Sequence, residues 1–415
     1  MIKVLFKSLV LFLSAQSFLC ANYTSGQAYI SKHVPNGSIS DNFKVPYGLE
    51  RAVDFWIDVY SKHDVNHMVI HDTDFYVVYE VIDVSDVEDL EEFSEQLKSE
   101  IIDSRINVVR NKYRVALKNI HESITNGQKL DPSLVELYDK FKNIPDRDKF
   151  LDASRSGRMR VQKGHSSNFR KGLYYSQMYI GEMENIMIEM GLPMELSRLP
   201  YVESYFDPGA ISHKSATGIW QFMKGTAAEY MKVSSTYDER KDPFFSTRAA
   251  ATLLKQSYDY LWDSWPLAVT AYNHGRFGMK KASNKVGSRD LVEIIGKYNG
   301  LNFGFASKNF YAEFLAALFI DLNKQKFFNG IESVKPLNGR VVQLVKPLKI
   351  SQIELLLGVD KEEIRIYNPA VSVLAFERDE VMPVGSRIRV PSHAVKRSLS
   401  KIENTRGVSS YVKVI

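Results

Sequence analysis

The chain has 415 residues, of which 44% are hydrophobic and 25% charged, and its formal net charge is +5. This length predicts roughly two or three domains, and the composition is typical of a soluble globular protein and not of a disordered chain. A single cysteine excludes a disulfide framework and a thiolate zinc site, while the small positive charge only mildly favours an anionic partner.

The first 21 residues have the pattern of a secretory signal peptide. A short basic start is followed by an apolar run over residues 4–19, and Ala21 offers a small residue for cleavage. We therefore expect a periplasmic or secreted protein. Attachment of a lipid to Cys20, as in an outer-membrane lipoprotein, is less favoured because the bulky Leu19 precedes it. No later segment has the length of a membrane-spanning helix, so we expect no transmembrane span in the mature chain.

The next two regions are predicted to be a flexible leader over residues 22–42 and a helical N-terminal region with a small hairpin over residues 43–168. In the second of these, helical spacing covers residues 48–63 and 86–121, and two short strands lie between them. Three histidines here are spaced four residues apart, but the strand pattern argues against a metal site. The basic run over residues 155–171 lacks the aromatic residues of a nucleic-acid site.

Glu203 is the candidate catalytic acid. Leu196 and Leu199 precede it by seven and four residues, so the three side chains share one face of a helix that Pro193 can start. A carboxyl on that face is partly buried, which raises its pKa, as a general acid near neutral pH requires. Pro200 removes one backbone hydrogen bond and predicts a bend in the helix. Periodicity alone also allows Glu203 to cap or pair at a helix end.

Three more helices are predicted further along the chain. Ser246 opens a helix that runs to about Leu261, and Pro266 starts a helix that ends at Gly275. Ser307 is placed to cap a third helix, whose apolar residues continue to position 318.

Three motif segments surround these elements: Glu-Ser at 203–204, Gly-Ile-Trp-Gln-Phe-Met at 218–223 and Ala-Tyr-Asn-His-Gly at 271–275. In this order and spacing they resemble the lytic transglycosylase domain related to goose-type lysozyme, in particular its membrane-bound type D branch. The resemblance covers about residues 191–318. It implies a mainly α fold with a lysozyme-like helical catalytic domain over residues 169–323.

The resemblance also implies a reaction. Glu203 would protonate the glycosidic oxygen between N-acetylmuramic acid and N-acetylglucosamine, and its carboxylate would then deprotonate the muramic acid C6 hydroxyl. That hydroxyl closes onto C1 and gives a 1,6-anhydro product. One carboxyl suffices because the nucleophile is intramolecular. We expect structural roles for Asp207, Asp238, Glu239 and Asp242, and neither a metal nor a cofactor.

Positions that match the family's motifs are expected to bind substrate. Ser204 would orient Glu203, Gln221 and Met223 would contact sugar or peptide, and Tyr272 and Asn273 would bind near the scissile bond.

The family also places a tyrosine near the start of the last catalytic helix, in contact with the catalytic glutamate. Either Tyr311 or Phe310 fills that position, depending on where the register is set. We assign Tyr311 to the substrate-binding residues.

Residues 340–392 resemble a divergent LysM-type unit, with an Asn-Pro element at 368–369 and a Pro-Val-Gly element at 383–385. The resemblance implies a small α+β unit with the order strand, helix, helix, strand that binds polymers containing N-acetylglucosamine. A purely structural appendage is the alternative. A basic tail over residues 393–415 follows.

The sequence thus favours a lytic transglycosylase that acts on peptidoglycan glycan strands, with no nucleic-acid partner. Two alternatives stay open. One is a goose-lysozyme-like hydrolase, and the other is a peptidoglycan-binding protein without catalytic activity.

Overall fold

The computed structural model describes residues 29–394 and 411–415. These residues form two compact units: a first unit of residues 29–36, 50–55 and 63–164, and a second unit of residues 37–49, 56–62 and the described residues from 165 onward. The predicted signal peptide, the start of the leader and most of the basic tail lie outside the described residues. Within the described ranges, no helix has the length and apolar character needed to cross a membrane.

The mainly α fold class is confirmed, and the first unit adds a small antiparallel sheet. The first unit contains the first half of α1, a helix that spans Glu50–Ser61. Its other elements are, in chain order, β1 (His67–Asp72), β2 (Val78–Asp83), α2 (Ser85–Glu88), α3 (Glu95–Thr125), α4 (Val135–Lys140), α5 (Lys149–Ala153) and β3 (Met159–Lys163). The predicted hairpin is β1 and β2, and its sheet has the order β2-β1-β3. The third strand comes from the basic run, which the sequence did not predict as a strand.

Side chains of this sheet and of α3 share one hydrophobic core, which includes Ile70, Tyr79, Leu117 and Phe141. The long helix starts at Glu95 and not near residue 86, because the Ser94 side chain accepts a hydrogen bond from the Leu97 N–H and caps it there.

The catalytic region lies in the second unit and is helical. Its elements are the second half of α1, then α6 (Ser166–Ser176), α7 (Ile180–Glu189), α8 (Leu199–Glu203), α9 (Lys224–Ala227), α10 (Pro243–Tyr260), α11 (Trp265–His274), α12 (Arg276–Val286), α13 (Leu291–Lys297), α14 (Phe305–Leu322) and α15 (Lys324–Phe327).

The helix that carries Glu203 differs from the prediction. A 3-10 helix over Met194–Arg198 comes first, and α8 follows it as a separate short helix. Pro200 lies in the first turn of α8, where no N–H is needed, so it helps to start a helix and does not bend one. Leu196 and Leu199 are fully buried, as their spacing predicted.

Two other helices begin earlier than predicted. The Asp242 side chain accepts hydrogen bonds from the N–H groups of Phe244 and Phe245, at 2.9 and 3.0 Å, so α10 starts at Pro243 and not at Ser246. Ser307 does not cap α14, because it lies inside the first turn and its hydroxyl is bonded elsewhere.

Helix α14 is the central helix of the second unit and packs against α8 and α11. Residues 309–318 of this helix are all buried except Glu313, which keeps partial access to solvent. A helix that is apolar on all sides belongs in a core, and a single acid within it therefore needs an explanation.

The C-terminal part of the second unit has its own core. Its elements are β4 (Gly339–Leu344), β5 (Leu348–Lys349), α16 (Ile350–Leu357), α17 (Lys361–Tyr367), α18 (Val373–Glu377), β6 (Val381–Met382), β7 (Arg387–Pro391) and β8 (Val412–Val414). Antiparallel strands are ordered β7-β4-β8 and β5-β6. The strand, helix, helix, strand order is present, with α18 added in the segment before β6.

Candidate active site

The three motif segments meet in space around the end of α8. The Ser204 hydroxyl donates to the Ile219 carbonyl oxygen at 2.9 Å, and the Tyr272 hydroxyl donates to the Trp220 carbonyl oxygen at 2.8 Å. These bonds join the chain beside Glu203 to the 218–223 loop, and that loop to the last turn of α11.

Glu203 lies at the C-terminus of α8 with its side chain partly exposed. Burial raises the pKa of its carboxyl from the ordinary 4.5 to about 8, and the nearby Glu313 carboxyl adds to this shift. Within the described residues, no hydrogen bond or ion pair engages the Glu203 carboxyl. Glu203 is therefore protonated at neutral pH and has a proton to donate.

The backbone immediately after Glu203 is strained. Tyr205 and Phe206 have φ angles of 53° and 58°, in the left-handed region that residues other than glycine seldom adopt. The Phe206 N–H donates to the Pro200 carbonyl oxygen at 3.2 Å, and the buried Phe206 ring lies 4.6 Å from that of Tyr201. This packing holds a tight reversal of the chain that ends α8 at Glu203. Such strain is concentrated at functional sites.

The 218–223 loop also depends on unusual backbone geometry. Gly218 has a φ of 78°, and a Cβ atom there would lie 1.9 Å from the Arg240 carbonyl oxygen. Gln221 has a φ of 47°, and its side-chain amide donates to the Gly218 carbonyl oxygen at 2.9 Å and to that of Ala210 at 3.3 Å. Gln221 thus stabilises the loop through hydrogen bonds to its backbone. Met223, at the end of the same loop, is 45% exposed and open to solvent.

Helix α11 ends where the sequence predicted, with Tyr272 and Asn273 in its last turn. The Asn273 side chain is exposed, and its Oδ1 accepts a hydrogen bond from the Ser307 hydroxyl at 2.7 Å. The Tyr272 ring is stacked on Phe310, with a centroid distance of 6.4 Å and an interplanar angle of 11°.

Phe310 and Tyr311 therefore face different surroundings. Phe310 lies against Tyr272, on the side of α14 that faces the motif segments. Tyr311 is 2% exposed and packs on Phe314 at 6.2 Å, and burial alone raises the pKa of its hydroxyl. The structure brings the other predicted residues together near Glu203 but directs Tyr311 into the core.

Two residues of the site were missed by sequence reasoning: Tyr60 on α1 and Glu313 on α14. The Tyr60 hydroxyl donates to Glu313 Oε2 at 3.2 Å. Burial raises the pKa of Glu313 to about 8, and the hydrogen bond from Tyr60 opposes that shift. Glu313 is a second partly buried acid, and its charge contributes to the raised pKa of Glu203. The sequence feature that could have identified Glu313 is its position as the one acid among the apolar residues of the predicted helix.

Three tyrosines lie close enough to the two carboxyls for the carboxyl charges to influence their hydroxyls. The pKa of Tyr60 is raised by burial and then by Glu313, that of Tyr205 by burial and then by Glu313, and that of Tyr272 by burial and then by Glu203. These hydroxyls stay protonated at physiological pH.

The four other candidate acids have structural partners. The Asp207 side chain accepts a backbone N–H of its own turn at 2.8 Å, and Asp242 caps α10. Asp238 and Glu239 pair with arginines at 2.7 and 2.8 Å. Among the residues that the structure describes, no cluster of His, Cys, Asp and Glu is arranged to hold a metal ion.

The fold and site define a helical domain with a protonated glutamate at the meeting point of three motifs. Residues 183–295 match the family described as the Transglycosylase SLT domain. Over 186 residues the chain is 30% identical to a protein of Escherichia coli strain K12 named Membrane-bound lytic murein transglycosylase D, a match that covers 43% of this chain and 40% of that protein. These matches confirm the resemblance that the motifs predicted for the catalytic region.

A second relative, from Alteromonas sp. strain M-1, is provisionally named a tributyltin chloride resistance protein. It is 37% identical over 97 residues, which are 23% of this chain and 46% of the relative. The chain thus spans less than half the length of these two curated relatives. A solved structure of an inactive mutant of the lytic transglycosylase Slt from Pseudomonas aeruginosa has a TM-score of 0.32 and 17% identity, covering 47% of this chain and 30% of that chain.

Proposed function

We propose that the protein is a peptidoglycan lytic transglycosylase that cleaves the β-1,4 bond between N-acetylmuramic acid and N-acetylglucosamine without consuming water. The observation that carries this proposal is Glu203, a partly exposed carboxyl with a pKa of about 8 at the junction of the three motif segments. The match to the SLT domain and the name of the Escherichia coli relative support the same reaction and substrate.

In the first step Glu203 acts as a general acid. Its proton passes to the glycosidic oxygen, the bond from C1 of the muramic acid to that oxygen breaks, and positive charge develops at C1. Glu203 is left as a carboxylate in a partly buried site, where its negative charge interacts strongly with the charge at C1 because screening by water is reduced.

In the second step the same residue acts as a base. The C6 hydroxyl of the muramic acid attacks C1, the C1–O6 bond forms, and the hydroxyl proton passes to the Glu203 carboxylate. Glu203 regains its proton and the product carries a 1,6-anhydro ring. The attacking hydroxyl belongs to the same sugar, so its effective concentration is high and no base is needed to activate water.

Substrate binding is assigned to the residues around Glu203. Tyr272 and Asn273, at the end of α11, are placed to bind near the scissile bond, and the exposed Met223 to contact sugar or peptide. Gln221 shapes the 218–223 loop through its two hydrogen bonds to backbone carbonyls. Ser204 acts on Glu203 through the backbone, since its hydroxyl is bonded to the 218–223 loop.

In the family a tyrosine contacts the catalytic glutamate, and we assign that contact to Tyr60 and Tyr272. The charge of Glu203 influences the pKa of both hydroxyls. Tyr311 then contributes packing to the core of the second unit.

The C-terminal LysM-like unit is proposed to bind glycan and to hold the enzyme on its polymer. Its Arg387 pairs with Glu239 at 2.8 Å and lies over the Phe245 ring at 3.7 Å, so this unit is fixed to the catalytic region. A fixed module would present the glycan in a constant direction. The proposed location is the periplasm or the outside of the cell after signal-peptide cleavage, where peptidoglycan is accessible.

The test is mass spectrometry of the soluble products from purified peptidoglycan, with the wild-type protein, Glu203→Gln and the exposed control Glu293→Gln. We expect anhydro-muropeptides from the wild type and the control, and none from Glu203→Gln.

Glu313 gives the hydrolase alternative a second carboxyl, which conventional glycoside hydrolysis uses. Products with water-derived reducing ends would establish that alternative. Binding to peptidoglycan without any product, from wild type and variants alike, would show a non-catalytic protein.

A further inference from the structure

Glu313 lies at a position where the fold would otherwise place an apolar side chain. Its neighbours on α14, from residue 309 to 318, are buried, and most of them are apolar. Placing an unpaired ionisable group there reduces stability, and groups of this kind are found mainly at functional sites. No basic side chain pairs with Glu313 within the described residues. Arg198, which is bonded to Asp321 on the same helix at 3.0 Å, also pairs with Glu184.

Two parallel hydrogen bonds fix the position of Glu313. Trp56 and Tyr60 are one helical turn apart on α1, and Asn309 and Glu313 are one turn apart on α14. The Trp56 indole N–H donates to Asn309 Oδ1 at 2.7 Å, and the Tyr60 hydroxyl donates to Glu313 Oε2 at 3.2 Å. Because residues four apart lie on the same helix face, the two bonds hold the facing surfaces in register.

The titratable groups near the two carboxyls come from three parts of the second unit. They are Tyr60 from α1, Tyr205 after α8 and Tyr272 from α11. His165 is in contact with Tyr205, with ring centroids 5.7 Å apart. The carboxyls thus lie mainly among phenol groups, which add no positive charge, and one of these, Tyr60, donates a hydrogen bond to Glu313.

We propose that Glu313 is a positioning residue for the reaction: anchored by Tyr60, it ionises before Glu203 as the pH rises, and its negative charge then holds the proton on Glu203 until the glycosidic oxygen takes it. Glu313 acts through Glu203 and does not touch the substrate. This inference rests on the proposed function, because it assigns Glu313 a role in the same acid step.

The physical reason is that two like charges in a poorly solvated site oppose each other. The hydrogen bond from Tyr60 favours the ionised form of Glu313, so Glu313 ionises first. Its negative charge then disfavours ionisation of Glu203, and the proton stays on the residue that needs it. Both pKa values are about 8, so both carboxyls are largely protonated at neutral pH, and the charge of Glu313 acts on Glu203 as the pH approaches and passes 8.

The test is the pH dependence of kcat/KM, with anhydro-muropeptide release as the readout. Glu313→Gln keeps the size of the side chain and an acceptor for Tyr60 but removes the charge. In this variant we expect the alkaline limb of the pH profile to move about one pH unit lower, because Glu203 loses its proton more easily. Activity should then fall about fivefold at pH 8 and change little at pH 5.5. Tyr60→Phe should move the limb in the same direction by less, and Glu313→Asp, which retains a charge, should restore part of it. Glu293→Gln is the matched control and should follow the wild type.

A readout without activity separates this inference from the proposed function. Carboxyl carbon NMR of the folded protein follows Glu203 directly, and its titration midpoint should fall in Glu313→Gln. An unchanged Glu203 midpoint, together with a pH profile parallel to that of the wild type, would assign Glu313 a structural role and overturn the proposal. Loss of activity in Glu313→Gln at every pH, equal to that of Glu203→Gln, would overturn it by making Glu313 a catalytic residue. If the wild type released no anhydro product, the proposed function would be refuted. The titration midpoint of Glu203 would still test whether Glu313 influences its pKa.

Discussion

Replacing Glu203 by glutamine should stabilise the protein, and the gain should grow with pH. The pKa of Glu203 is about 8 in the folded protein, against an ordinary value of 4.5. Between these two values the unfolded chain has released the proton and the native state has kept it. The native state therefore binds more protons, and the free energy of unfolding falls as pH rises through this window. A glutamine does not titrate, so it removes this loss.

The size of the effect follows from the width of the pH window. At pH 7 the full linkage corresponds to about 3 kcal/mol, since each pH unit between the two pKa values contributes about 1.4 kcal/mol. The side chain is partly exposed, and solvent screening reduces this gain to about 1.5 kcal/mol. For a unit of this size we expect the Tm to rise by about 3 °C at pH 7.

The assay is thermal unfolding of the wild type, Glu203→Gln and the exposed control Glu293→Gln at pH 5 and pH 7.5. Glu203→Gln should match the wild type closely at pH 5 and exceed it at pH 7.5, while the control should show no such gain. A difference that stays constant or shrinks between the two pH values would refute the reasoning, because it would mean that Glu203 is already ionised in the folded protein at neutral pH.

Three further substitutions test how the site is held, each by its urea unfolding midpoint beside that of the wild type. Gly218→Ala places a Cβ 1.9 Å from the Arg240 carbonyl oxygen at a φ of 78°, so we expect a loss of more than about 2 kcal/mol. Arg198→Ala removes the buried cation of Asp321 and leaves only Lys324, at 3.6 Å, so it should lower stability by about 3 kcal/mol, the lower end for a broken buried pair. Asn309→Ala removes the acceptor of a buried indole N–H and should lower stability by about 1–3 kcal/mol. An unchanged midpoint would contradict the assigned contact in each case.

Sequence reasoning found the parts of the site that local pattern determines. The spacing of Leu196, Leu199 and Glu203 identified one buried face, even though the backbone there changes from a 3-10 to an α helix. The end of α11 was predictable because Gly275, with a φ of 83°, ends the helix just after Tyr272 and Asn273.

The missed parts depend on contacts between distant segments. Tyr60 and Glu313 are separated by 253 residues, and nothing in the local pattern of either helix shows that they are bonded. The choice between Phe310 and Tyr311 likewise depends on which side of α14 faces α11. When almost every side chain of a helix is apolar, the sequence has no amphipathic pattern from which to predict its orientation.

The anchors of α14 explain how the second unit tolerates two acids close together. Asn309 lies one turn before Glu313 and is bonded to Trp56, and Asp321 lies about two turns after it and is bonded to Arg198. Both contacts are buried, and together they restrain the helix on either side of Glu313. Repulsion between two carboxyls is relieved most easily by moving one of them away. With α14 restrained at both ends, that movement is blocked, and the repulsion instead adds to the rise that burial causes in the pKa of Glu203. Burial is the larger cause of the raised pKa of Glu203, and the rigidity of the core helix preserves the second cause, the repulsion from Glu313.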